Sequence, residues 1–170
     1  MSMFNASVPQ TRKMLLNLDT CIAAAVTHAE TVGFDPDNLF QSRLAPDQFT
    51  FGRQIQSACD AAKALAARLS GQTPPSHPDT EKTLGELRAR IATVVAYLDT
   101  FSEADFEGAA DRIVVLPFIP GKGLKGSDYL NEMALPNFYF HATTAYAILR
   151  HNGVQIGKRH FIGSLNLLDV

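Results

Sequence analysis

Four stretches of this chain carry apolar residues at alternating steps of three and four, and that periodicity constrains its fold more than any other feature. Between residues 7 and 33, Leu15, Leu18, Ile22, Ala25, Ala29 and Val32 share one face of a helix, a stripe that must be buried against a partner. From about Asp47 to Ser70 the inward stripe is Phe51, Ile55, Ala58, Ala62, Leu65 and Leu69, with Arg53, Asp60, Lys63 and Ala67 outside. A third helix carries Leu84, Leu87, Ile91, Val94, Leu98 and Phe101. The fourth turns Phe138, His141, Ala142, Ala145, Ile148 and Leu149 inward. Stripes of this kind pack against one another, so the spacing predicts one all-α domain over residues 1–170.

Boundary signals sharpen that reading. Ser7 followed by Gln10 has the form of a capping box, Pro9 suits a first helical turn, and Gly33 is a stop. FDPDNLFQSRLAPDQ reads as a turn-rich connector with one short helical piece. Gly71 stops the second helix, and QTPPSHPD reads as a tight loop joining antiparallel neighbours. Thr83 with Glu86 is a second capping box. DRIVVLPFIPGKGLKG breaks the helical pattern and reads as a long crossover with a short extended piece. The fourth helix starts near Ser127 or at Pro136, two alternatives that proline chemistry leaves open. Asn152-Gly153 ends it, and an extended C-terminal tail packs back on the helices.

Composition excludes several classes of function. A net charge of −2, with 46% hydrophobic and 19% charged residues, gives no global attraction to nucleic acid or anionic lipid. No apolar run reaches the roughly 18 residues that cross a bilayer, so no membrane partner is expected. The two cysteines, Cys21 and Cys59, lie in helical patterns and read as buried thiols of a reducing compartment. The N-terminus lacks the apolar core of a secretory signal, and a cytoplasmic location is expected.

Few side chains invite chemistry. His141 stands on the apolar face of the fourth helix, either as a hydrogen-bonded core residue or as an imidazole facing a pocket. Gln54 interrupts the stripe of the second helix and is placed to bond His141, a backbone group or a ligand. Cys21 and His28 are two helical turns apart, about 10 Å, too far for a nucleophile pair. His77, His151 and His160 read as surface residues. The Gly121–Gly126 loop has two lysines but neither the P-loop nor the dinucleotide spacing, and reads as a flexible turn. Tyr146, Arg150 and Lys158 suit surface, tail-docking or dimer contacts equally.

The segments RLAPDQFTFGRQIQSACDAAKALAARLSG and ALPNFYFHATTAYAILRHNGVQIGKRHFIG, with the helical frame around them, resemble an uncharacterised bacterial family, the domain of unknown function numbered 1993. That family is similar to the DinB/YfiT-like metalloenzyme superfamily. The resemblance implies an antiparallel four-helix bundle, a long crossover between helices three and four, and a homodimer. In that superfamily a divalent metal, zinc or nickel, is held by one histidine of the second helix and two on the fourth, four residues apart. Here His141 matches the first of the fourth-helix pair, Ala145 stands in the second place, and the second helix has no histidine. The triad is incomplete, so no cofactor and no metal ligand set is assigned. Two readings follow: a noncatalytic or ligand-binding dimeric bundle, or a metal-dependent transferase or hydrolase acting on a small molecule through a pocket at His141 and Gln54.

Overall fold

The helix that fixes the layout is the second, because it is buried on nearly every side. The computed structural model describes residues 2–169. In it α1 is Val8–Val32, α2 is Phe51–Leu69 and α3 is Leu84–Leu98. The last long helix, α4, covers 126–151, and a short α5 follows at Lys158–Ile162. Helix α2 packs against α1, α3 and α4 together. Lys63 and Ala67, expected on its outer face, are therefore buried. Small side chains at Ala58, Ala61, Ala62 and Ala66 allow three helices to approach one rod. One apolar core runs from Val8 to Ile156, and no helix among the described residues is long and apolar enough to cross a membrane.

The helix ends test the boundary signals. Gly33 closes α1 in the left-handed conformation at φ 89°, with the N–H groups of Gly33 and Phe34 both on the Ala29 carbonyl. Val32, in that last turn, is 63% exposed and not part of the stripe. Ser7 does not cap α1. A preceding turn supplies the carbonyls, Val8 N–H donating to Phe4 O at 3.0 Å, so the Ser7 hydroxyl donates to Met3 O and Phe4 O instead. Gln10 reaches away to Tyr139 Oη at 2.7 Å. Thr83 and Glu86 do form the reciprocal cap expected at α3. Helix α2 begins four residues later than Asp47, where Thr50 caps the Arg53 N–H. The connector before it holds a short 3₁₀ turn, Pro36–Gln41. Its Phe40 ring lies across Gly52, where a Cβ would come within 2.3 Å of it.

Cross-helix pairs give the helix directions. Arg12 with Asp99 and Asp19 with Arg88 make α1 and α3 antiparallel. Arg68 with Tyr129 and Gln54 with His141 make α2 and α4 antiparallel. Gln10 with Tyr139, and His28 beside Gly153, make α1 and α4 parallel. It follows that α2 and α3 run the same way, which corrects the antiparallel neighbour read from QTPPSHPD. That segment is not a tight loop; it is part of an extended strap that returns along the helices. The 99–125 connection, expected as the crossover, stays at one end of the molecule, where Arg112 holds the Leu69 carbonyl at the end of α2. It carries a hairpin of β1, Ile113–Val115, and β2, Gly123–Lys125, paired antiparallel with Val114 opposite Leu124.

Helix α4 begins at Gly126, beside Ser127, the first of the two proposed starts, and runs on through Pro136, the second. Proline has no N–H, and its ring displaces the carbonyl one turn back. Immediately before it, Tyr129–Ala134 widens into a π-helix, with the Leu135 N–H on the Leu130 carbonyl. The wide turn absorbs the proline without breaking the rod. Beyond Gly153 the tail is not wholly extended: α5 packs on α1, with Asn17 donating to Phe161 O at 2.8 Å.

Candidate functional site

Residues 54 and 141 are far apart in sequence, and the antiparallel pairing of α2 with α4 brings them together. Gln54 Oε1 lies 2.7 Å from His141 Nδ1, and both residues are buried. The other end of the Gln54 amide, Nε2, faces the Phe49 carbonyl at 3.4 Å. That donor contact turns Oε1 toward the imidazole, which assigns the proton of His141 to Nδ1 and leaves the lone pair on Nε2. The ring lies parallel to Phe49, with centroids 6.3 Å apart, and edge-on to Phe140 at 5.3 Å. The Arg53 guanidinium sits 5.5 Å from the centre of the Phe49 ring. Burial first, and the Arg53 charge second, push His141 below its ordinary pKa. The imidazole is therefore held neutral.

His141 is not sealed in the core. It lines a groove between α2 and α4 with a volume of about 240 Å³. Ser57, Asp60, Arg68, Tyr129 and Asn137 add polar groups to the walls. Ala61, Ala64 and Met133 supply apolar surface, and Phe118 reaches in from the turn between β1 and β2. Ser57, Ala61, Ala64 and Arg68 form a second stripe on α2 beside the core stripe. That spacing was readable in the sequence, but small residues at helical intervals look like ordinary packing until a gap is seen opposite them.

The two charges in the groove differ in their partners. Asp60 accepts from Lys63 and from Arg90, each at 2.9 Å. Arg68 donates to Tyr129 Oη at 3.3 Å and lies 5.9 Å from the centre of that ring. Among the described residues, Arg68 forms no ion pair with a carboxylate.

Other sequence candidates fall elsewhere. Cys21 and Cys59 are free and buried, and burial pushes their thiols up to about 11 and about 12 respectively. Neither is an activated nucleophile. His28 meets Phe34 edge-on. His77, expected at the surface, is half-buried on the strap, with Nδ1 unpartnered. His151 and His160 are exposed. The glycines and lysines of 121–126 belong to the hairpin and the start of α4, so their N–H groups do not converge as a phosphate cradle. Tyr146 packs on Phe161, and Arg150 bonds the Val154 carbonyl. Both thereby dock the tail.

These features define a helical protein with a polar groove between two of its long helices and a glutamine-held histidine lining it. A model of the domain of unknown function DUF1993 matches residues 3–162, and the chain belongs to that family. A crystal structure of a DinB family member protein from Shewanella denitrificans superposes with a TM-score of 0.95 at 49% identity. It covers 98% of this chain, and the match spans 95% of that one. No curated protein matches the chain.

The metal of the wider superfamily can be tested against these side chains. Ala145, in the place of a second histidine, is fully buried. Gln54 offers a neutral amide oxygen already bonded to His141 Nδ1. No cluster of three or more His, Cys, Asp or Glu suited to a metal occurs among the described residues. His141 Nε2 alone is a good donor, and the set does not fit a three-ligand metal centre.

Proposed function

We propose that this protein is a DinB-like four-helix bundle that binds a small molecule in the groove between α2 and α4, without the three-histidine metal centre. The observation that carries the reading is the groove itself. A histidine serving only the core would be enclosed, whereas His141 forms part of an open, partly polar wall. The side chains of α2 and α4 that line it come from packed helices, so the site is pre-formed. Exposed Ile113, Val115 and Phe118 on the hairpin support a homodimer. The two unpaired buried thiols are consistent with a reducing, cytoplasmic setting.

Methyl NMR tests the ligand reading. Small-molecule fragments are expected to shift Met133 before the core methyl groups of Leu15 or Ile22, and fragments that bind only elsewhere would overturn it. Stoichiometric zinc or nickel in protein purified without a chelating tag would replace it with the metal-dependent transferase or hydrolase reading. Light scattering tests the dimer, and a monomer at micromolar concentration would remove it.

A further inference from the structure

We infer that the ligand is a small elongated anion, with a carboxylate or phosphate head on Arg68 and a hydroxyl or N–H donor presented to His141 Nε2. This rests on the ligand-binding reading of the groove and names the chemistry that would fill it. The charge balance selects an anion. Of the two charged side chains that line the groove, Asp60 is paired with Lys63 and Arg90, whereas Arg68 meets only a tyrosine hydroxyl. Tyr129 Oη accepts from Arg68, so its own proton is free for the same anionic head. Asp60 does not reverse this balance, because Lys63 and Arg90 both pair with it. A cationic ligand would meet an unneutralised guanidinium and a carboxylate already paired.

The other end asks for a donor. Gln54 fixes the Nδ1–H tautomer, so the remaining ring nitrogen can only accept while the imidazole is neutral. Between the two ends the walls are mixed, with Asp60 and Asn137 set among apolar side chains. Ser57 and Arg68 are eleven residues apart on α2, roughly 16 Å of helix. Ala61 and Ala64 lie between them, with Met133 on the facing wall. An aryl or short alkyl body fits that middle.

Matched probes test each end separately: para-hydroxyphenylpropionate, its primary amide, its methyl ether, and tyrosol phosphate. Calorimetry should show the acid binding about tenfold or more tightly than the amide, the discrimination expected of one charge-assisted contact. The methyl ether should also bind more weakly than the acid. Arg68→Met should erase the preference for acid over amide, Arg68→Lys should keep part of it, and His141→Phe should erase the preference for hydroxyl over ether. If tyrosol phosphate binds more tightly than the acid, the head is a phosphate; the reverse makes it a carboxylate, and either result supports the inference. Equal binding of acid and amide, with Met133 shifted by both, would overturn the anion while leaving the groove as a binding site. If no probe shifts Met133, the inference and the binding reading fall together.

Discussion

Two arginines on opposite flanks of α2 show how one residue type serves structure in one place and a binding site in another. Arg90 of α3 reaches across to Asp60 of α2 and to Asp79 and Glu81 of the strap, at 2.9, 3.0 and 3.1 Å, and it also bonds the Pro78 carbonyl. Its side chain is 2% exposed. Arg53 with Asp79 and Gln56 with Glu81 extend the network. Three anions around one cation lock the strap against two parallel helices. Arg68, on the other flank, meets a single hydroxyl and opens onto a groove. The difference teaches that a guanidinium enclosed by three carboxylates acts as a strut, whereas a half-buried one with a single neutral partner is left open to a ligand.

The largest expected effect comes from breaking the strut. Arg90→Met leaves Asp60, Asp79 and Glu81 crowded together with only the peripheral cations. It should cost about 3 kcal/mol, the low end for a broken buried pair because Asp60 and Asp79 reach solvent. Urea unfolding measures it. A loss below about 1 kcal/mol would mean that the strap is held by its backbone and prolines, and the comparison would lose its structural half.

Gln54→Leu is expected next, at about 2 kcal/mol, since it strands the Nδ1–H of His141 in the core. Adding His141→Phe should recover much of that loss, because removing both partners leaves nothing unsatisfied. A double variant no more stable than the single would show that the pair is not the source of the cost.

This pair was the part of the site legible in the sequence. His141 and Gln54 are polar residues inside apolar stripes, and such exceptions stand out. Arg68 and Asn137 did not, because each sits at a stripe edge where polar residues are ordinary, and Tyr129 is a buried aromatic like others of the core. The four long helices were equally legible from periodicity, as was the cap at Thr83. Their directions were not: a proline-rich connector reads the same whether it turns tightly or runs extended along the helices, and only ion pairs distant in sequence distinguish the two. Pro136 misled for a related reason, since a π turn that accommodates proline has no residue signature of its own.

Acid should act in two pH windows, an upper one set by a histidine on each flank and a lower one set by a carboxylate of the strap. His141 has a lowered pKa when folded, so below about 6.5 the unfolded chain takes up a proton that the folded chain refuses, and stability falls with pH. His77 is lowered too, by burial first and then by Lys63 and Arg90, and adds to the same window. Burial alone would raise Glu81, but hydrogen bonds from its backbone, Gln56 and Arg90 outweigh it and hold the pKa below 4.5. The stability it contributes is present above that value and is lost as pH falls through the depressed one. Each group can add a slope of at most about 1.4 kcal/mol per pH unit. His141→Asn should flatten only the upper window and Glu81→Gln only the lower. If both variants change the same window, His141 and Glu81 are electrostatically coupled across α2.

The smallest expected effect completes the contrast. Arg68→Met makes the same chemical change as Arg90→Met, yet it removes one hydrogen bond at 3.3 Å and a cation placed near the Tyr129 ring. Tyr129 is buried but lines the groove, and water occupying the groove is expected to replace the lost donor. The methionine stem keeps the apolar contact that the arginine made along α2. Removing an unpaired cation from a partly solvated wall should shift unfolding by less than about 0.5 kcal/mol. Measured alongside Arg90→Met under one set of conditions, it compares the two sites directly. A cost for Arg68→Met approaching that of Arg90→Met would mean that its guanidinium holds α2 to α4, and the groove would then be a gap beside a second strut.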